Sequence, residues 1–210
     1  MSLKADIEDI LESVVTSSLY GMYRDRIQTR FTNSFFAGIL SSFEKDYDRY
    51  YPGKMLEPDL IFGNLPLAGI LLHRTSRAFF LYGDEKQALY FSNLVRLTSQ
   101  MEIFYTADIG PGLKINHGLG LVIGAGCTIG KNALLYQNIV IGDSTPLSAN
   151  RKKRPAIGDN LVMFSNAKIL GPVRIRDNVT IQQNAVCTRD VDSNHIFTAN
   201  GEIRPLYQRR

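Results

Sequence analysis

Three groups of residues in this chain have types and spacings that could do chemistry. The first is His117, in the run Ile115-Asn116-His117-Gly118. Imidazole titrates near neutrality, so it can take the proton of a hydroxyl and give it back within one reaction cycle; the plainer reading is an exposed corner residue. The second is the cluster Arg151-Lys152-Lys153-Arg154, followed by Pro155. Guanidinium groups pair well with phosphate oxygens, so the cluster suits the phosphates of coenzyme A or the diphosphate of a nucleotide-activated sugar or lipid-linked glycan. A solvated charge run on a loop is the alternative. The third is the pair of cysteines, Cys127 and Cys187, read as packing residues rather than a disulfide because both fall on core-facing positions of a repeat. Three histidines and two cysteines leave little material for a metal site.

What must position these groups is the stretch 109–188, where an aliphatic residue returns at every sixth position. The register runs Ile109, Ile115, Ile123, Ile129, Leu135 and Ile141, then after a break Ile157, Met163, Ile169, Ile175, Ile181 and Cys187. Four positions after register residues comes a second small or aliphatic series: Leu113, Leu119, Cys127, Ala133, Ile139, Leu161, Ala167, Val173, Val179 and Ala185. This is neither the 3.6 period of a helix nor the alternation of an ordinary strand. A period of six with Gly, Asn and Asp between the register positions predicts a parallel β-helix of short strands and tight corners. Three hexads per triangular coil make about four coils, with the break between Ile141 and Ile157 falling between the second and third. The two-residue slip at Leu121 and Val122, beside His117, predicts a bulged corner.

The residues before the repeat read as helices. Apolar positions from Lys4 to Leu19 form one face of an amphipathic helix, and a second segment runs from about Ile27 to Tyr47. A third, from about Leu65 to Leu81, is apolar nearly all round. Gly83 and Asp84 read as a stop and an N-cap, with a fourth helix from Glu85 to about Gln100. These helices are expected to cap the open end of the repeat, whose unpaired strands would otherwise be an aggregation edge. His73, inside the third helix, reads as a core residue or subunit contact; His195 falls in the tail. The expected division is a helical domain over 1–102, a β-helix over 103–192 with a loop at 143–154, and a tail over 193–210. A net charge of +4 is too weak to argue for nucleic acid, no apolar run reaches membrane-spanning length, and the acidic N-terminal residues do not resemble a signal peptide, which points to the cytoplasm.

The segment Ala107 to Gly124 (ADIGPGLKINHGLGLVIG) and Ala167 to Gly171 (AKILG) resemble the serine acetyltransferase family of left-handed β-helix, hexapeptide-repeat acyltransferases. So do the helix, Gly-Asp turn and helix from about His73 to Gln100 and the tail Ala199 to Arg204, so that the likeness covers well over half the chain. The left hand of the coil is carried by this resemblance alone, since parallel crossovers are usually right-handed. The resemblance implies acetyl-CoA as co-substrate with no metal, His117 as general base on the acceptor hydroxyl, and Glu102 as the carboxylate that orients the imidazole. It further implies acceptor contacts at Asn116, Lys153 and Arg154, and coenzyme contacts at Gly142, Asp143, Ser165, Asn166, Lys168, Thr180 and Gln183. Family members form trimers with active sites in grooves between neighbouring β-helices, and helical N-terminal domains can pair trimers.

The sequence also departs from the family. The loop that holds serine ends in Arg-His-Pro there and in Lys153-Arg154-Pro155 here; Asn116 replaces an aspartate; Ser165, Asn166, Gln183 and Asn184 stand where Gly and Ala are usual. These departures keep acetyl transfer and shift the expected acceptor to a hydroxyl of a sugar or polysaccharide precursor, with L-serine as the alternative. A catalytically silent scaffold is the other alternative; the tail, ending Gln208-Arg209-Arg210, lacks the terminal isoleucine that docking by the family's enzymes uses.

Overall fold

The computed structural model describes residues 33–143 and 154–206. The helix expected over Lys4 to Leu19, the loop residue Lys153 and the last residues of the tail lie outside the described residues.

The repeat folds as a parallel β-helix of three flat sides. Side A stacks β1 (Glu102–Ile103), β4 (Val122–Ile123), β7 (Val140–Gly142), β10 (Lys168–Leu170) and β13 (Val186–Cys187). Side B stacks β2 (Asp108–Ile109), β5 (Thr128–Ile129), β8 (Ala156–Ile157) and β11 (Arg174–Ile175), with Val191 bridging Ile175 below. Side C stacks β3 (Lys114–Ile115), β6 (Leu134–Leu135), β9 (Val162–Met163), β12 (Thr180–Ile181) and β14 (His195–Phe197), and the antiparallel β15 (Ile203–Pro205) covers the last of these. Register residues pair in columns, Ile103 on Ile123 on Ile141 on Ile169 on Cys187, so each aliphatic side chain lies on its equivalent one turn away. They are buried throughout, as are both cysteines, whose thiols are free.

Two expectations about this repeat need correction. The first coil begins at Ile103, on β1, rather than at Ile109, so five register turns are present and the break after Ile141 leaves from inside the third coil, between its sides A and B. A phase counted from Ile109 misses this because the first strand follows directly on a helix. Leu119, placed by its spacing in the core, is exposed, and Leu121 is buried in its stead. The two extra residues push the inward position along by two and leave Leu119 on a protruding corner.

Corners require positive φ, which Asn tolerates better than other non-glycine residues because its short side chain can bond locally. Asn132, Asn160, Asn178 and Asn194 turn the chain from side B to side C at φ near +60°. Their amides bond in a ladder, Asn132 to Asn160 at 3.2 Å, Asn160 to Asn178 at 2.9 Å and Asn178 to Asn194 at 3.0 Å. Asn138, Asn166 and Asn184 do the same from side C to side A.

Among the described residues four helices precede the coils: α1 (Asn33–Asp48), α2 (Pro58–Phe62), α3 (Leu65–Leu81) and α4 (Glu85–Ser99). Asp84 caps α4 by accepting from Gln87 N at 3.0 Å, and Asn64 caps α3 by accepting from Leu67 N at 3.2 Å. α2 was not foreseen; Pro58 opens it at the first helical turn, where no amide is needed. The helices meet the backbone groups that the first coil turns away from the second. Ser92 Oγ donates to Ile103 O on side A at 3.0 Å. Arg74 donates to Ile109 O and, at 2.8 Å, to Gly110 O on side B. The Tyr50 hydroxyl bonds Ile115 on side C. A buried ion pair anchors this plug: Arg74 Nε lies 2.8 Å from Asp46 Oδ2, and Asp46 Oδ1 accepts from Leu113 N at 2.7 Å. Burial pushes the Asp46 carboxyl up, and Arg74 opposes that shift.

Candidate functional site

The corner between sides C and A repeats down the prism. Its rungs are Gln100, Leu119-Gly120, Gln137-Asn138, Ser165-Asn166 and Gln183-Asn184, joined by backbone bonds from Gly120 N to Gln100 O (3.1 Å), Asn138 N to Leu119 O (2.8 Å), Asn166 N to Gln137 O (3.1 Å) and Asn184 N to Ser165 O (3.1 Å). Gln100, left-handed at φ +56°, is at once the C-cap of α4 and the first rung. Asn116 keeps the regular position, its N–H donating to Leu135 O at 2.8 Å as Tyr136 N does to Met163 O, and His117 and Gly118 are the two inserted residues just before the second rung. Gly118 is buried, and His117 stands out from the corner instead of lying within it.

His117 is exposed and held at φ +66°, with Gly118 at +74° behind it. At every other described corner where a non-glycine residue adopts this conformation within the coils the residue is Asn. A histidine in its place is tolerated but costs conformational energy, a cost that tends to persist where the side chain has a use. Gly118 cannot be enlarged: a Cβ there would lie 2.7 Å from Met101 Sδ. The insert is thus packed onto Gln100–Glu102 by its backbone while its imidazole makes no hydrogen bond to another described residue.

Glu102 sits on β1 directly above Val122, with its amide bonded to Leu121 O at 2.8 Å. It shares the corner region with the His117 insert, but its carboxylate is paired with Arg96 at 3.5 Å, both side chains being about half exposed. Ser165, Asn166 and Gln183 line the same corner below His117, and Lys168 points outward from side A next to them. Gly142 and Asp143 lie at the opposite edge of side A, and Thr180 lies on side C. The expected coenzyme contacts therefore fall into one line below His117 and two outlying positions.

Asp143 and Arg154, the two ends of the inserted loop, form an ion pair. The aliphatic part of Arg154 passes over Gly126, where a Cβ would lie 3.4 Å from its Cγ. Sequence reasoning gave these two residues different roles and did not anticipate that they bind each other; only their positions flanking the loop could have suggested it. Below them burial pushes the Cys127 thiol up to about 11, so this sulfur stays protonated and inert at neutral pH. No group of metal-ligating side chains is assembled among the described residues, and none of their helices is long and apolar enough to cross a membrane. His195 Nδ1 lies 2.9 Å from Ser193 O. A shallow cavity of about 310 Å³ lies on side B, lined by Thr128, Gly158, Arg174, Arg176 and Ser193 among others, and holds none of the expected site residues.

The outer surface flanking the His117 corner is apolar. Val122 and Val140 face outward from side A, Leu134 and Val162 from side C, and Tyr136 packs on Phe164 with ring centroids 5.3 Å apart. Leu119 is 53% and Phe164 37% exposed.

No family model matches the chain. A curated serine acetyltransferase of Staphylococcus aureus (strain Mu50 / ATCC 700699) is 39% identical over 115 residues, 54% of this chain and 53% of that protein. One of Staphylococcus epidermidis (strain ATCC 12228 / FDA PCI 1200) is 41% identical over 106 residues, 50% of this chain and 49% of that protein. The chain thus spans about half the length of the curated relatives it matches. Among solved structures, serine acetyltransferase isoform 3 of Entamoeba histolytica, in complex with cysteine, superposes with a TM-score of 0.68 at 25% identity, over 78% of this chain and 59% of that one. The soybean serine acetyltransferase apoenzyme gives 0.73 at 19% identity over 82% and 72%, a likeness of fold. In sequence over half its length and in fold over most of it, the chain resembles the serine acetyltransferases, and its coils are their left-handed parallel β-helix.

Proposed function

We propose that the protein is an acetyl-CoA-dependent O-acetyltransferase with His117 as its general base and L-serine as its acceptor. The observation that carries the reading is the His117 insert, whose imidazole makes no hydrogen bond to another described residue and projects at φ +66° from a corner turned elsewhere within the coils by Asn or Gly, in a chain similar to curated serine acetyltransferases. An acceptor hydroxyl is too weak an acid to attack a thioester unless its proton is removed as the new bond forms. His117 takes that proton while the oxygen attacks the acetyl carbonyl; the tetrahedral intermediate then collapses, and the departing coenzyme A sulfur receives a proton back from the imidazolium. Glu102 would orient the ring by exchanging its Arg96 partner for the imidazole. Such an exchange is cheap, because an exposed pair of this kind contributes about 0–1 kcal/mol.

The relatives favour serine over the sugar acceptor suggested by the altered loop. The pairing of Arg154 with Asp143 supports the same choice: the residue that replaces the family's histidine closes the base of the loop, so its change does not require a changed acceptor. Asn116 and Lys153 would hold the serine, while Ser165, Asn166, Lys168 and Gln183 would follow the pantetheine arm down the corner, with Gly142, Asp143 and Thr180 as outer contacts. The exposed apolar rows beside His117 suit packing of copies into a trimer that closes a groove over each imidazole, with the helical part as cap and the segment after 192 as tail.

The test is thiol release from acetyl-CoA with L-serine and, in parallel, with nucleotide sugars and simple glycans. Release with serine that falls about 10²- to 10⁴-fold in His117→Asn is expected, the size associated with one general base. Asn suits the backbone there, as it does at position 138, so the loss reports chemistry and not folding. Release with sugars alone would return the acceptor to the other class, and none with any acceptor would leave a scaffold.

A further inference from the structure

A parallel strand turns the N–H and C=O of alternate residues toward each neighbour. On β3, Lys114 N and Asn116 N bond downward to Ala133 O and Leu135 O of the second coil, at 2.9 and 2.8 Å. The N–H and C=O of Ile115 face the other way, where no earlier coil lies among the described residues. Both are met by one atom: the Tyr50 hydroxyl accepts from Ile115 N at 2.7 Å and donates to Ile115 O at 2.8 Å. It stands where the backbone of a preceding coil would be.

Ile115 is two residues before His117, and Asn116 between them is the last residue in the regular register. The insert is tied on its far side by Gly120 N to Gln100 O and by the packing of Gly118 on Met101. On its near side the strand is held from above by Asp46, which accepts from Leu113 N at 2.7 Å, by Arg49, which donates to Gly112 O at 2.8 Å and accepts from Lys114 Nζ at 2.8 Å, and, nearest the insert, by Tyr50 at Ile115. Tyr50 is in turn held by the Lys114 ammonium, 5.2 Å from its ring centre, and by the ring of Tyr51. Burial pushes its hydroxyl well above the usual phenol range, so it remains a donor at any working pH.

We infer that Tyr50 is a positioning residue for His117: its hydroxyl replaces the missing coil above Ile115 and sets where the catalytic imidazole stands. This rests on the function proposed above. A general base must reach its proton within hydrogen-bond distance, and a displacement near 1 Å can cost on the order of 100-fold in rate. Removing the hydroxyl frees the near anchor of a strained insert without touching any residue that would meet substrate.

The experiment compares wild type, Tyr50→Phe and Arg77→Met, each folded by circular dichroism at the assay temperature. Phe keeps the ring and its packing. Arg77→Met removes a bond from the helices to Thr106 O, at the corner between sides A and B, and an ion pair with Asp108 on side B, both away from the insert, and controls for a general loosening of the cap. Expected is a fall in kcat of about 10-fold or more in Tyr50→Phe with the KM for acetyl-CoA unchanged, and kcat within twofold of wild type in Arg77→Met. The second readout does not depend on turnover: the rate at which diethyl pyrocarbonate modifies His117, followed by peptide mass, should change at least twofold in Tyr50→Phe while that of His195 does not. Equal losses in the two variants, or a Tyr50→Phe enzyme with wild-type kcat, overturn the inference. Should wild type transfer no acetyl group, the function fails and the modification rate decides the positioning on its own, an unchanged rate at His117 refuting it.

Discussion

The coils and the helical cap are stabilised in different ways. In the coils every contact is made several times over: Ile123, Ile141 and Ile169 meet the same neighbours above and below, and the backbone bonds of one turn are repeated in the next. In the cap each contact is made once. Asp46 and Arg74 are 28 residues apart, and Asp46 reaches a further 67 residues to Leu113. Stability in a stacked repeat approximates a sum over neighbouring turns, whereas the junction with the helices depends on a few buried polar groups. A single change should therefore do unequal damage in the two regions.

The largest effect is expected at Arg74. Arg74→Met leaves Asp46 fully buried without its cation, and breaking a buried pair in this way costs about 3–5 kcal/mol. Ile169→Val in the coil should cost about 0.5–1.5 kcal/mol. Urea midpoints of the two variants make the comparison, and the double variant Arg74→Met with Asp46→Asn should lose less than Arg74→Met alone, because no charge is left stranded. Equal losses from Arg74→Met and Ile169→Val would break the contrast between a concentrated and a distributed region.

The same contrast explains what the sequence made readable. The sixfold return of Ile, Leu and Met is a local pattern, so the β-helix could be read from it, and so could the caps at Asp84 and the bounds of Leu65–Leu81. Ile103 escaped because a register needs a preceding hexad to be recognised, and what precedes β1 is a helix C-cap. Leu119 was misplaced because the slip was put after it, at Leu121 and Val122, whereas the two extra residues, His117 and Gly118, come before it. His117 was legible as a histidine at an irregularity in an otherwise regular string. Tyr50, Asp46 and Arg74 were not, since nothing in their own surroundings says which distant carbonyl they will meet. The Asp143–Arg154 pair was hidden for a similar reason: two charges flanking a loop become partners only once the coil brings its sides A and B together.

A smaller effect, and one that depends on pH, is expected at His73. It is wholly buried in α3, and neither ring nitrogen has a hydrogen-bond partner. Burial, with Arg74 and Arg77 nearby adding to it, pushes its imidazole down to about 3. Above pH 6.5 the ring is neutral in both folded and unfolded chains and the cap is unaffected. Below pH 6.5 the unfolded chain takes up the proton first, so stability falls as pH drops toward 3, by at most about 1.4 kcal/mol per pH unit. His73→Leu removes that proton uptake. Between pH 7.5 and 5 the variant should gain about 2 kcal/mol on wild type in urea unfolding. Parallel behaviour at the two pH values would mean that His73 is not held neutral.

The smallest effect belongs to the coil, at Asn160, and it separates two reasons for an asparagine at that corner. One is backbone: φ is +58° there, a conformation that costs most side chains about 1 kcal/mol and costs glycine nothing. The other is the amide ladder, in which Asn160 receives a bond from Asn132 and gives one to Asn178. Asn160→Gly keeps the first and deletes the second; Asn160→Ala deletes both. Because these amides are exposed, water replaces much of what is lost, and the ladder should contribute well under 1 kcal/mol per bond. Asn160→Gly is therefore expected within about 0.5 kcal/mol of wild type and Asn160→Ala about 1 kcal/mol below it. Equal losses in both variants would make the ladder, and not the turn, the reason for asparagine. That result would also change the reading of His117, whose place at a corner of the same conformation would then lack the side-chain bonding that stabilises the other turns.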